Sequence, residues 1–266
     1  MNRRETLAAL VGVVGLGVFN RSPFAEITCE ASDLADPIRV LVVTGGHGYD
    51  EPEFDRFLAS FPELKIERAV LPKDRARLAP GLETAFDVLL LYDQDNSELS
   101  DAQKQDFVAL LNRGIGVFAL HHHLSAHQNW DEHFDIIGGR DFFQRDINLF
   151  RGKEYPRSTF IDDVQMEIGV ADRNHPITRG VEPFTIVDEA YGRCPVHPDV
   201  RVLLTTDCPK ATRQVAWTWR FGASPVFVNM LGHGPSAWNN PGFRKVFIQA
   251  IVWLNDIVQK SRKEKK

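Results

Sequence analysis

The chain has 266 residues, a net charge of −5 and 43% hydrophobic side chains, the composition of an ordinary globular protein. Such a length suffices for one large domain or two small ones with a substantial core, and it argues against a disordered or fibrous class. The mild acidity gives no electrostatic reason to expect nucleic acid or an anionic membrane surface as a partner.

The N-terminal segment differs from all that follows. Arg3 and Arg4 precede an apolar, charge-free stretch over residues 7–19. It is short for a bilayer span but fits the apolar core of a secretory signal. The paired arginines point to twin-arginine export to the periplasm, with residues 1–35 as leader, although Thr6-Leu7 is a weak version of that pattern. The alternative is an N-terminal helix that merely starts with two arginines. No stable membrane insertion is expected beyond the leader.

After the leader, Ile38–Thr44 is a β-branched apolar run that stops at glycines, as a buried parallel strand would. Leu64–Val70 alternates, and residues 87–92 are again apolar. Ser100-Asp-Ala-Gln103 is a capping-box signature opening a helix through Phe107, Leu110 and Leu111, closed by Gly114. Gly116–Leu120 is the next strand. Further strands are expected at 165–169, 202–206, 215–219 and 225–231. Asn240 then caps a closing helix with Pro241 at its first position, running to about residue 258. Lys/Arg-rich residues 261–266 read as a solvated tail.

Strands alternating with helices imply a doubly wound, mostly parallel sheet, to which the strand-rich second half adds extra edge strands. Residues 36–260 show no internal repeat or linker and read as one domain.

In open α/β sheets, ligands bind outside the carboxyl ends of the strands. Three loops put imidazoles there: Gly45-Gly46-His47-Gly48, His121-His122-His123 and Gly232-His233-Gly234-Pro235-Ser236. Asp93 belongs to the same edge, and Asp188-Glu189, after the extended run 184–187, could join it. If the Gly116–Leu120 strand continues, alternation sends His121 and His123 one way and His122 the other, so at most two would share a site. Against a shared cleft stands the plainer reading, in which each histidine simply satisfies its own loop. His127, His133, His175 and His197 read as structural, with His175 a local hydrogen-bonding residue of a turn.

Other constellations are missing. No G-x-G-x-x-G follows a strand, so no nucleotide is expected, and there is no Walker loop or G-x-S-x-G elbow. Asp50 to Asp55 lacks calcium-loop spacing. Cys29, Cys194 and Cys208 have no C-x-x-C spacing and read as bystander thiols, though a Cys194–Cys208 pair stays open. Trp217/Trp219 and Trp130/Trp238 could stack on sugars but fit core positions as well.

Val43-Thr-Gly-Gly-His-Gly48, Ala119-Leu-His-His122, Ile136-Ile-Gly-Gly-Arg140, His175-Pro-Ile-Thr-Arg-Gly180, Asp188-Glu-Ala-Tyr191 and Leu231-Gly-His-Gly-Pro-Ser236 together resemble ThuA-like (trehalose-utilisation) proteins. Each motif is weak alone; their ordered spread from about residue 38 to 258 is specific. The resemblance implies a flavodoxin-like sheet related to class I glutamine amidotransferases, and an association with disaccharide and keto-sugar utilisation. Amidotransferases of that superfamily place a nucleophilic cysteine at the turn after a strand such as Gly116–Leu120. Here the turn reads His121-His122-His123-Leu124-Ser125, so glutaminase activity is not expected. Ser125 is a conceivable substitute that lacks the glycines of a strained elbow.

Two readings follow. In the first, the protein is an enzyme acting on a disaccharide or keto-sugar, with His122, Glu189 and His233 as catalytic groups and His47, Gly46, Asp93 and Tyr191 binding substrate. The same His122, Glu189 and His233 would suit a divalent metal, Zn, Fe or Mn, with open positions for sugar oxygens. In the second, the cleft belongs to a non-catalytic sugar-binding module.

Overall fold

The structure is a computed structural model that describes residues 36–265; the export leader expected over 1–35 lies outside the described residues. The first half alternates strand and helix: β1 (Ile38–Thr44), α1 (Glu51–Ala59), β2 (Leu64–Val70), α2 (Leu82–Ala85), β3 (Val88–Leu91), α3 (Asp101–Arg113) and β4 (Gly116–Leu120). The second half contains α4 (His133–Ile137), β5 (Ile147–Phe150), β6 (Lys153–Pro156), β7 (Thr159–Val170) and β8 (Phe184–Gly192). It ends with β9 (Arg201–Thr206), β10 (Gln214–Phe221), β11 (Ser224–Asn229), α5 (Pro235–Trp238) and α6 (Pro241–Glu264).

Nine strands form one sheet in the order β2-β1-β3-β4-β11-β10-β9-β7-β8, while β5 and β6 pair as a separate hairpin. From β2 to β11 the neighbours run parallel; from β11 to β8 they run antiparallel. This is the doubly wound, mostly parallel sheet with extra edge strands. Its inner parallel strands are buried on both faces, which is why β1, β3 and β4 read as unbroken apolar runs, whereas the edge strand β2 stays partly exposed.

Two apolar layers cover the sheet. On one face Phe54 and Phe57 of α1 meet Phe243, Phe247 and Ile251 of α6. On the other, Phe107, Leu110 and Leu111 of α3 join Ile136 and Ile137 of α4. Each such side chain contributes about 1.5–3 kcal/mol on full burial. Ser100 and Gln103 form the reciprocal capping box, and the Asn240 side chain accepts from Gly242 and Phe243 backbone N–H groups.

The basic tail is a correction. Helix α6 continues to Glu264, and Arg262 is anchored rather than solvated: its guanidinium meets Asp87 and donates to the Phe86 carbonyl at 2.9 Å. Asp87, at the amino edge of the sheet, also receives two bonds from Arg39, at 3.0 and 2.7 Å, and one from Gln259 at 3.0 Å. Burial alone would raise the Asp87 carboxyl, but the hydrogen bonds from Arg39 and Arg262 win and hold it at about 2.

The antiparallel half explains how the far edge reaches the centre. β7 pairs with β9 only over residues 168–170, whereas it pairs with β8 from Thr159 to Ile168. Most of the β7–β8 hairpin therefore leaves the sheet, and β8 side chains lie against the loop after β11. A bulge in β7 between Ile161 and Val164 breaks that ladder, with Asp163 at φ +53°.

Candidate active site

The carboxyl ends of β1, β4 and β11 converge, and the hairpin closes over them. After β1, Gly45 and Gly46 adopt positive φ (+120° and +78°), and a Cβ at Gly46 would collide with the backbone of Gln94. Glycine is required there to pack two loops together, and the turn presents exposed His47. After β11, the Asp188 carboxylate accepts from the backbone N–H of Gly232 (2.6 Å) and His233 (3.0 Å), while the Tyr92 hydroxyl and Trp238 indole donate to carbonyls of the same loop. These bonds fix His233. Burial pushes the Asp188 carboxyl upward.

The chain does not continue as a strand after β4. It turns into a 3-10 segment, His121–Ser125, with His121 in the left-handed region at φ +43°. Strand parity therefore fails, and the expected partition of the triplet is corrected: His121 and His122 enter the cleft together and His123 leaves it. The ring centroid of His122 lies 4.3 Å from His47, 4.8 Å from His121 and 5.4 Å from His233. One nitrogen from each of His121, His122 and His233 falls within a common 4.8 Å, and a carboxylate set, Asp162, Glu189 and His233, shares the last of these.

The decisive contacts are at His121, which is buried. Its Nδ1 donates to the Met230 carbonyl at 2.6 Å. Its Nε2 lies 3.0 Å from Oε2 of Glu189. A neutral ring already donating at Nδ1 would aim a lone pair at Glu189, so a proton shared by the imidazole and the carboxyl, or a metal bound by both, makes this contact favourable. In the protonated form, burial lowers the His121 pKa, but the Glu189 hydrogen bond and the charges of Asp188 and Glu189 outweigh it and raise the imidazole. For Glu189, burial raises and His121 lowers, with a net fall. His122 is different. Both of its ring nitrogens are buried and have no partner among the described residues. Burial first, then the neighbouring imidazoles, hold it neutral far below the usual histidine range.

Glu189 lies within β8 rather than after a strand, and Tyr191 follows on the same face, its ring 4.6 Å from His121. Asp93 does not reach this cleft. It is wholly buried and accepts from Nδ1 of His123 at 2.9 Å; His123 in turn meets His133, Nε2 to Nε2, at 3.0 Å. His127 packs beside both, so these three histidines form a second, separate buried group. His175 accepts from the Ile177 N–H within its own turn, and His197 lies against Trp219.

A family model for ThuA, trehalose utilisation, matches residues 39–254. The chain belongs to the ThuA family. Among solved structures, a ThuA-like protein of Parabacteroides merdae is 18% identical with a TM-score of 0.68, over 83% of this chain and 90% of that one. A ThuA-like protein of Bacteroides uniformis is 15% identical with a TM-score of 0.62, over 83% and 93%. A cytoplasmic protein of Salmonella typhimurium is 11% identical with a TM-score of 0.55, over 82% and 99%. At such identities the likeness is one of fold, and it is consistent with the class I glutamine amidotransferase-like fold. No curated protein matches the sequence. Among the described residues no helix is long and apolar enough to cross a membrane.

In this ThuA chain the turn after β4 carries an imidazole and no thiol. Ser125 does not substitute for it: four residues on, it is buried with its hydroxyl on Asp141. Cys194 and Cys208 are free, and burial drives the Cys194 thiol far above its usual range. Trp217 and Trp238 are core residues whose indoles donate to the Ile137 and Gly232 carbonyls. The sequence points to the His121-His122-His123 turn without a role for His121, and it does not point to Asp162. His121 was hidden by the parity argument, which a turn in place of a strand defeats. Asp162 is brought within 3.6 Å of His233 Nδ1 by the bulge, for which no sequence signal exists.

Proposed function

We propose that this protein is a carbohydrate-processing enzyme acting on a disaccharide or keto-sugar, without glutaminase activity. The observation that carries the reading is the His121–Glu189 contact beside a buried, partnerless His122. A family tied to trehalose utilisation supplies the substrate class. His121 and Glu189 would hold and pass a proton next to a sugar carbonyl or hydroxyl, the task for which a carboxylate–imidazole pair is suited. His122, neutral and unpartnered, would bind a sugar oxygen or serve as a ligand. His47 and Tyr191 border the same space, and Gly46 allows the first loop to approach it.

The donor set also fits a divalent ion such as Zn, Fe or Mn: the imidazoles of His121, His122 and His233, with the Glu189 and Asp162 carboxylates alongside. When bound, such an ion would polarise a carbonyl or a pair of hydroxyls. Metal analysis of the purified protein, followed by turnover assays on 3-keto-disaccharides with and without chelator, tests the reading. Conversion of the sugar that Glu189→Gln abolishes supports it. Binding of keto-sugar without turnover or metal would make the protein a sugar-binding module instead.

The twin-arginine segment is a separate proposal. Fused to a reporter, residues 1–35 should reach the periplasm, and Arg3→Lys with Arg4→Lys should block it; export indifferent to both substitutions overturns it.

A further inference from the structure

We propose that Phe160 and Phe143 form a platform for the second ring of a disaccharide, and that this platform selects a keto-disaccharide over the corresponding free keto-sugar. The inference rests on the carbohydrate reading of the histidine–carboxylate cleft and adds the residues that set substrate length. Its starting point is strand register. Phe160 of β7 pairs directly with Tyr191 of β8, so the two side chains stand on one face of the hairpin. Glu189, two residues before Tyr191, stands on that face as well, and its carboxylate meets His121. Farther along β7, Asp162 comes within 3.6 Å of Nδ1 of His233. Phe160 is thus carried on the wall that closes over the imidazoles.

From His121 outward, the aromatic rings form a row. Tyr191 lies 4.6 Å from His121, Phe160 meets Tyr191 edge to face at 5.1 Å, and Phe143, between α4 and β5, meets Phe160 edge to face at 6.4 Å. The row changes character along its length. Tyr191 is buried, whereas Phe160 and Phe143 are only half-buried and keep apolar ring surface in water. Covering that surface with apolar groups is favourable. A pyranose ring suits it, because one of its faces presents C–H groups to an aromatic plane while the hydroxyls at its edge stay with polar neighbours. The exposed Asp162 carboxylate, two residues from Phe160, is an acceptor for such a hydroxyl. A reacting ring held by the imidazoles and Glu189 leaves the Phe160 platform to the second ring, which a free keto-sugar lacks.

Calorimetric titration of the full-length protein with 3-keto-trehalose and with 3-keto-glucose tests the platform. Both titrations use the Glu189→Gln protein, in which the proposed reaction is blocked, so that binding is read apart from turnover. The disaccharide should bind roughly tenfold more tightly, the margin gained by taking one half-exposed ring face out of water. Adding Phe160→Ala should erase most of that preference and leave the affinity for 3-keto-glucose unchanged, whereas adding Phe160→Tyr, which keeps the ring, should retain it. Phe143→Ala should reduce the preference by a smaller factor, about threefold. Equal affinity for the two sugars, or a preference that survives Phe160→Ala, overturns the platform and leaves the carbohydrate reading standing. Binding of neither sugar overturns that reading and the platform with it. Should Phe160→Ala fail to fold by circular dichroism, Phe143→Ala decides: a preference unchanged by it overturns the platform.

Discussion

The two edges of the sheet treat buried charge in opposite ways. At the amino edge, Asp87 is surrounded by Arg39, Arg262 and Gln259, and its carboxylate oxygens are bonded several times over. At the carboxyl edge, His122 has two buried nitrogens with no partner among the described residues, beside the His121–Glu189 pair. Satisfied polar groups hold the fold together; unsatisfied ones await a ligand. The difference separates a clamp from a site within one sheet.

The contrast is broken most directly at the carboxyl edge. His121→Ala, His122→Ala, Glu189→Gln and His233→Ala should each lower sugar turnover per folded molecule by roughly 10²–10⁴-fold, with circular dichroism measuring the folded fraction of each variant. If the site holds a metal, the same variants should lose it, which elemental analysis reads directly. Near-normal turnover in all four would make these residues ordinary loop histidines and a structural glutamate.

The amino edge should respond in the reverse sense. Asp87→Asn should cost about 2 kcal/mol of unfolding free energy in urea titration, the scale of hydrogen bonds to a charged acceptor, and leave turnover per folded molecule unchanged. The parent protein should also carry a pH signature. The Asp87 pKa is depressed in the folded state, so its contribution is fully present above about 3.8 and is lost as pH falls towards about 2. Asp87→Asn should flatten the stability curve in that window. An unaltered slope would mean that the clamp is not the acid-sensitive element.

A smaller effect sharpens the same comparison. His121 is raised and Glu189 lowered, so the His121 contribution is complete below about 6.5 and fades above it, while that of Glu189 is complete above about 4.5 and fades below it. In metal-free protein, the stability difference between parent and Glu189→Gln should therefore be largest between those values and shrink on either side. A difference that stays flat from pH 4 to 9 would argue against an imidazolium–carboxylate pair.

Local chemistry made much of this architecture legible. The strands that read as continuous apolar runs lie in the parallel half, where both faces are covered. Ser100–Gln103 and Asn240–Pro241 carried their helix starts in side-chain oxygens and ring geometry. Harder to read were features set by tertiary contact. Helix α6 runs past Val258 because Arg262 finds Asp87, 175 positions away in sequence. The first half of β7 and the β5–β6 hairpin are mostly exposed and lack a clear alternation. Within the site, Gly46 and Gly232 marked the loops correctly, but the left-handed turn at His121 is imposed by the fold, and a histidine gives no glycine-like warning of it.

The bulge in β7 has a further consequence. Opposite Glu189, β7 spends two residues, Asp162 and Asp163, where its partner spends one. Because side chains alternate along a strand, removing one of the two would reverse the facing of Thr159, Phe160 and Ile161 relative to the rest of the hairpin. Phe160, now edge-on to Tyr191 at 5.1 Å, would swing to the opposite side. The wall of the cleft can thus be rebuilt by a change in chain length, with every imidazole left in place and no residue exchanged for another.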